Sequence, residues 1–241
     1  MLGVIPAAGA GSRLGQGVKP LVKLRERHLI EYPLGNMRSM GIEEVVIIEN
    51  GGSVSSVLGS EINGVQLSYV EQTERRGIAH AISLTEPNVG REDVFIILSD
   101  VVYVGNDIRG MKDRFTWKKE GNYAFYGIKQ VSNQNLIKNS YGFEASPGKT
   151  SVKIIEKPLK VKKLMPFIGL GIYVADYHLY RYIEKTQVSK LRNEVEVTDT
   201  LNLLSRDIRV SGHELRGMYA NINTPADLQQ VREYLEKKQR V

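Results

Sequence analysis

Cysteine is absent from the 241-residue chain, so neither a disulfide framework nor a thiolate metal site is available to it. Histidine is nearly absent too. The four imidazoles, at positions 28, 80, 178 and 213, are too scattered to suggest a zinc cage. No apolar run approaches the ~18–20 residues that span a bilayer. The N-terminus lacks the basic lead and cleavage site of a signal peptide and enters a strand pattern at once. Repeats, low-complexity segments and linker-like stretches are also missing. A soluble cytoplasmic chain folded as one domain over residues 1–241 is therefore the expectation, with 41% hydrophobic residues for one sizeable core. Charge is not balanced, at a formal +6, but the basic residues are dispersed among acids with no aromatic-interleaved basic stripe. That pattern points to small anionic substrates rather than nucleic acid or a membrane, and it leaves homo-oligomerisation open.

What is present begins at the start of the chain. An apolar strand, Leu2 to Ala7, runs into a glycine-rich loop, A-A-G-A-G-S-R-L, followed by Lys19-Pro20-Leu21. Glycines let backbone N–H groups approach an anion, and Arg13 and Lys19 add two fixed cations. The combination suits a polyphosphate. A dinucleotide-binding fingerprint wants a third small residue where Leu14 stands, and the Walker pattern fails because no Gly-Lys-Ser/Thr follows.

Strand and helix patterns alternate in the first half. Val45 to Glu49 and Val94 to Leu98 are short buried-strand runs, with helical patterns at Leu29 to Met40, Ser53 to Leu58 and Gly77 to Leu84. This rhythm predicts right-handed βαβ units in an α/β fold: a Rossmann-like three-layer α/β/α sandwich with a mixed, mainly parallel central sheet. Ligands in such sheets sit beyond the carboxyl ends of the strands, where the glycine loop and Asp100 both fall. The second half, with strand patterns at Tyr123 to Lys129, Tyr141 to Ala145, Ser151 to Ile155 and Phe167 to Val174, predicts some antiparallel pairing. Thr224-Pro225-Ala226-Asp227 reads as N-cap, N1 proline and N3 acid of a last helix burying Leu228, Val231 and Leu235.

With these motifs in place, the chain resembles the sugar-phosphate nucleotidyltransferases, the nucleotide-diphosphosugar pyrophosphorylases. The opening loop with Lys19-Pro20-Leu21 matches their signature segment. Tyr69-Val-Glu-Gln72 with Gly77-Ile-Ala-His-Ala81 is similar to their base-recognition segment, and Leu98-Ser-Asp100 to their metal motif. Tyr141-Gly142, Glu156-Lys157-Pro158, Gly169-Leu-Gly-Ile-Tyr173 and Glu194 to Asp199 resemble the sugar-side motifs, and Asn223-Thr-Pro-Ala-Asp227-Leu228 the closing segment. Their order along nearly the whole chain is more specific than any one of them.

The resemblance implies a transfer in which a sugar 1-phosphate attacks the α-phosphorus of a nucleoside triphosphate and pyrophosphate leaves. The attacking phosphate is already largely a dianion at neutral pH, its second pKa being ~6, so no general base is required and the poverty in histidine is no obstacle. By the same resemblance Ala8, Gly9, Gly11 and Ser12 form the nucleotide loop. Arg13 holds the triphosphate and Lys19 the α-phosphate and leaving oxygen, with Lys23 as the alternative register. Gln72 and Gly77 take the base, the Gln72 amide pairing with the O4/N3 edge of uracil or thymine. Gly142, Glu156 and Gly171 serve the sugar and Lys157 its phosphate, while Glu194 and Glu196 face the sugar by analogy. Magnesium is the implied cofactor, held by Asp100 and by a second group from the closing segment. That second position carries Asn221 where the family has an acid. UTP or dTTP with glucose 1-phosphate is the expected substrate pair. The alternatives are a CTP-dependent cytidylyltransferase acting on an alcohol phosphate, suggested by the short Arg-to-Lys interval, and a catalytically impaired nucleotide-sugar-binding regulatory homologue, suggested by Asn221.

Overall fold

A computed structural model describes residues 1–9, 14, 17–117, 123–145, 152–160, 165–190 and 192–239. The first strand, β1 (Leu2–Pro6), leads through a 3-10 turn at Lys19–Leu21 into a small hairpin, β2 (Lys23–Leu24) and β3 (Arg27–His28). Then come α1 (Glu31–Ser39), β4 (Glu44–Glu49), α2 (Ser55–Leu58), β5 (Glu61–Ile62), β6 (Val65–Glu71), α3 (Ile78–Ser83), α4 (Glu86–Val89) and β7 (Val94–Ile97). The middle of the chain adds β8 (Val101–Val104), α5 (Ile108–Trp117), β9 (Tyr123–Gln130), β10 (Tyr141–Ala145), β11 (Val152–Glu156) and β12 (Phe167–Ala175). It closes with α6 (Leu179–Lys185), α7 (Val197–Leu204), β13 (Arg209–Glu214), β14 (Met218–Asn221) and α8 (Pro225–Gln239).

Eight strands form the central sheet in the order β13-β9-β12-β7-β1-β4-β6-β5. The β7-β1-β4-β6 centre is parallel throughout, and β13 also runs parallel to β9. β12 is antiparallel to both of its neighbours, and β5 to β6, which makes the sheet mixed. Period-two alternation sends side chains to both faces. Ile5, Ile47, Phe95 and Ile97 face one core with Met37 of α1 and Met111 and Phe115 of α5. Val4, Val46, Ile48 and Ile96 face the other with Ala79 and Ile82 of α3, Ile183 of α6 and Leu201 of α7. Helices on both faces of one sheet are the three-layer architecture expected. Among the described residues no helix is long and apolar enough to cross a membrane.

Two departures have physical reasons. β6 was not among the expected strands, because Val65, Leu67 and Tyr69 alternate with Gln66 and Ser68 instead of forming a continuous apolar run. It lies near the sheet margin, next to the two-residue β5, where one polar face is tolerated. The β8–β14 ribbon is separate from the main sheet, and its two strands are antiparallel, with Asn221 opposite Val101. It rests on a third apolar cluster, Leu24, Leu29, Val102, Ile222 and Val231, against which Leu228 and Leu235 of α8 also pack.

Candidate active site

β1 and β7 end side by side, and Ser99 donates its backbone N–H to the Pro6 carbonyl at 3.3 Å. Beyond those ends lies a cavity of about 350 Å³. Its walls come from Pro6 to Gly9, from Gln72, Arg75 and Gly77, from Leu98 to Asp100, and from Lys19, Glu194 and Asn223. Of the residues expected to act, Ala8, Gly9, Lys19, Gln72, Gly77 and Asp100 thus meet around one space. Gly11, Ser12 and Arg13 lie outside the described residues.

Lys19 opens the 3-10 turn, and the following Pro20, buried, accepts the Ile30 N–H at 3.0 Å, which ties the turn to the start of α1. The Lys19 ammonium donates to Asp100 Oδ2 at 2.5 Å and to Asn223 Oδ1 at 2.9 Å, with side chains only 13% and 18% exposed for the lysine and the aspartate. Asn223 is held by the cap of α8. Its backbone N–H and that of Thr224 donate to Asp227 Oδ2 at 2.9 and 2.8 Å, and the Asp227 N–H donates back to Thr224 Oγ1 at 3.2 Å. The reciprocal pattern is the capping arrangement that the Thr-Pro-x-Asp motif announced.

Asp100 sits in the turn between β7 and β8, its carbonyl accepting the Ile222 N–H at 2.9 Å. Among the described residues neither Asp100 Oδ1 nor Asn221 Oδ1, both buried, has a hydrogen-bond partner, and both lie at the same end of the β8–β14 ribbon. A buried acceptor with no donor is costly unless a cation or a donor meets it. Among the described residues no three His, Cys, Asp or Glu side chains cluster into a metal cage. The donor set nevertheless fits magnesium, which is held by one or two protein oxygens and completes its shell with water and substrate phosphate oxygens.

The wall expected to face the base is built on the end of β6 and the turn before α3. Gln72 is 5% exposed, and its backbone bonds the Glu49 carbonyl at 2.8 Å and the Asn50 amide at 2.7 Å. Its Nε2 lies 3.3 Å from the Gly77 carbonyl and 3.0 Å from His80 Nδ1. Both side-chain hydrogens of Gln72 are thus directed at protein partners. Gly77 has φ +104, and a Cβ there would come within 2.6 Å of the Val195 carbonyl, so only glycine fits.

Of the expected sugar-side residues Glu194 lines that cavity, whereas Gly142, Glu156, Lys157, Gly171 and Glu196 are not part of its wall. Gly142 pairs with Ile155 and Tyr141 with Glu156 across the β10–β11 hairpin. Burial, reinforced by the Glu196 carboxylate, pushes the Glu156 carboxyl up to about 7, and burial also raises Glu196 and Asp199. Arg192 Nε stands 3.5 Å from Glu196 Oε1. Burial, and next the Asp100 carboxylate, push the Tyr219 phenol well above its usual range. The Tyr141 ring, stacked 6.3 Å from Tyr173, adds to the same shift of Tyr219. Lys157 is exposed, with a left-handed φ of 38° and its N–H on the Ser140 carbonyl at 2.8 Å. Gly171 (φ +65) occupies the bulge of β12, where its carbonyl accepts the Leu98 N–H at 3.0 Å and supports the Asp100 turn from behind.

Arg75, Asn223 and His80 were not singled out from the sequence as site residues. Arg75 Nε donates to the Ala8 carbonyl at 3.2 Å, tying the Gln72–Gly77 wall to the segment that follows β1. Its only trace in the sequence is a cation inside the Gln72–Gly77 segment. Asn223 belongs to the cap motif, whose chemistry reads as purely structural until the Lys19 contact is seen.

Known proteins resemble this chain over most of its length. A low-salt glycan biosynthesis nucleotidyltransferase, Agl11, of Haloferax volcanii is 28% identical over 95% of this chain and 64% of its own length, so the chain spans less than two thirds of that relative. A glucose-1-phosphate thymidylyltransferase of Neisseria meningitidis is 26% identical over 93% of this chain and 78% of its own. A candidate glucose-1-phosphate thymidylyltransferase of Bacillus anthracis, crystallised with sucrose, superimposes with a TM-score of 0.83 at 28% identity, covering 97% of this chain and 95% of that one. The nucleotidyl transferase family model matches residues 2–238, and the chain belongs to that family.

Proposed function

We propose that the protein joins a nucleoside triphosphate, UTP or dTTP, to a sugar 1-phosphate, glucose 1-phosphate foremost, and releases pyrophosphate. The observation that carries this reading is the Lys19–Asp100–Asn223 contact, which sets a fixed ammonium beside a carboxylate at one end of a cavity that Gln72 and Gly77 line as well. The dianionic sugar phosphate supplies its own nucleophile, so the protein's task is alignment and charge neutralisation. Lys19 neutralises the α-phosphate as the bridging oxygen to pyrophosphate departs, and Arg13 serves the outer phosphates. Gln72 and Gly77 seat the base, while Gly142, Glu156 and Lys157 position the sugar phosphate for in-line attack. Asp100 and Asn221 would hold magnesium, which when bound neutralises charge on the phosphate oxygens. Pyrophosphate release measured over UTP, dTTP, CTP, ATP and GTP, with glucose 1-phosphate and N-acetylglucosamine 1-phosphate, tests the reading. Release confined to CTP, or to alcohol phosphates, would transfer the assignment to a cytidylyltransferase.

Asn221 supports a second reading, a nucleotide-sugar-binding homologue with weakened catalysis, because an amide oxygen offers a metal no net charge. Under that reading UTP binds the wild-type protein without turnover, and Asn221→Asp brings pyrophosphate release.

A further inference from the structure

His80 stands on α3, three residues beyond Gly77. Its position is unusual in one respect: Nδ1 meets the Gln72 side-chain nitrogen at 3.0 Å. An amide nitrogen is donor only, so this contact is a hydrogen bond only if Nδ1 carries a lone pair and the imidazole proton sits on Nε2. The surroundings favour that neutral form. Burial, and then the Arg76 guanidinium, hold the imidazole below its ordinary range, with Glu74 opposing them. The second hydrogen of the Gln72 side-chain nitrogen goes to the Gly77 carbonyl at 3.3 Å. Gly77 cannot yield, since its turn is clamped by the Val195 N–H donating to the Arg76 carbonyl at 2.7 Å and the Ala79 N–H to the Val195 carbonyl at 3.1 Å.

Turning the Gln72 amide over would place its oxygen against the Gly77 carbonyl, an acceptor in every case, and would require the His80 proton to move from Nε2 to Nδ1. The mismatch with Gly77 leaves buried groups unsatisfied. Both donors of Gln72 are thereby committed inward, and the acceptor left for a ligand in the cavity it lines is Oε1.

We propose that His80 is a specificity-determining positioning residue: it locks Gln72 so that the amide oxygen, and not the amide nitrogen, meets the base. This rests on the reading that a nucleoside triphosphate of the uracil or thymine type enters the cavity. Oε1 then accepts the imino N3–H of uracil or thymine. Cytosine carries a lone pair at that ring nitrogen, which would face the lone pairs of Oε1. The preference for a keto pyrimidine is thus set by a residue one step removed from the base.

The test is calorimetric binding of UTP and CTP to the wild-type protein and to His80→Leu and His80→Asn. Leucine removes the acceptor at Nδ1, whereas asparagine returns one at nearly the same place. Wild type is expected to prefer UTP by roughly tenfold or more, on the scale of one buried unsatisfied polar group. His80→Leu should shrink the preference to within about threefold, and His80→Asn should restore most of it. In the wild-type protein, the two Gln72 side-chain amide protons should exchange slowly with solvent by NMR, and faster in His80→Leu. A full UTP preference in His80→Leu, or equally fast amide exchange in both proteins, would overturn the role of His80 alone. Wild type that binds neither nucleotide would overturn the functional reading, and this inference with it.

Discussion

Lys19 shows how far one side chain carries the site. Its ammonium is nearly buried and shared between Asp100 and Asn223, so it is already positioned before substrate arrives. Preorganised charge of this sort costs no reorganisation during reaction, and removing one such donor typically lowers turnover by about 10²–10³-fold. Lys19→Met keeps the length of the side chain and deletes the charge. It should lower kcat by that factor while the circular dichroism spectrum stays unchanged, and steady-state pyrophosphate release is the measurement. Glu156 makes the opposite point, because burial disfavours its charge. Its folded-state pKa of about 7 exceeds the ordinary value of 4.5, so the folded protein binds the proton more tightly than the unfolded chain. The contribution to stability is fully present below pH 4.5 and is lost as pH rises through 7. Glu156→Gln mimics the protonated form and should flatten this part of the profile, read as the urea midpoint from pH 4.5 to 7.5.

At the scale of elements, the cap of α8 does two tasks at once. Asp227 satisfies the N–H groups of Asn223 and Thr224, and in doing so it fixes the amide that receives Lys19. Asp227→Ala should cost about 1 kcal/mol of stability as a lost cap, or about 2–4 °C in Tm for a chain of this size. It should also weaken turnover, because Asn223 is no longer held; differential scanning fluorimetry and pyrophosphate release read the two effects separately. This dual role explains what the sequence made legible. The βαβ rhythm, the strand-to-loop transition at Leu2–Pro6 and the Thr224–Asp227 cap are local patterns with short-range causes, and each predicts its element closely. Ala8, Gly9, Lys19, Gln72, Gly77 and Asp100 follow from motif order, and they converge because strand ends converge. The contact between Lys19 and Asn223 joins residues 204 positions apart, so no local periodicity announces it. The inward commitment of the Gln72 amide is equally hidden, since it depends on the rotation of one side chain against His80.

At the scale of the molecule, the cavity gathers pieces from β1, the 3-10 turn, the end of β6, the β7–β8 turn and the loops before α7 and α8. A ligand seated there touches segments that unfolding scatters across the whole chain, so it binds the folded state alone. Its stabilisation follows from mass action: at 100 times Kd it amounts to about 2.7 kcal/mol, which for a chain of this size raises Tm by roughly 5–10 °C. UTP or dTTP at such concentrations, with magnesium, should produce that shift in a thermal melt. The rise should be smaller without magnesium, because the unpartnered oxygens of Asp100 and Asn221 then gain no cation. Lys19→Met should reduce the rise further, since the triphosphate loses its fixed counter-charge. A melt that leaves Tm unmoved by every nucleoside triphosphate would mean that the cavity between these segments does not bind a nucleotide, and the proposed activity would fall with it.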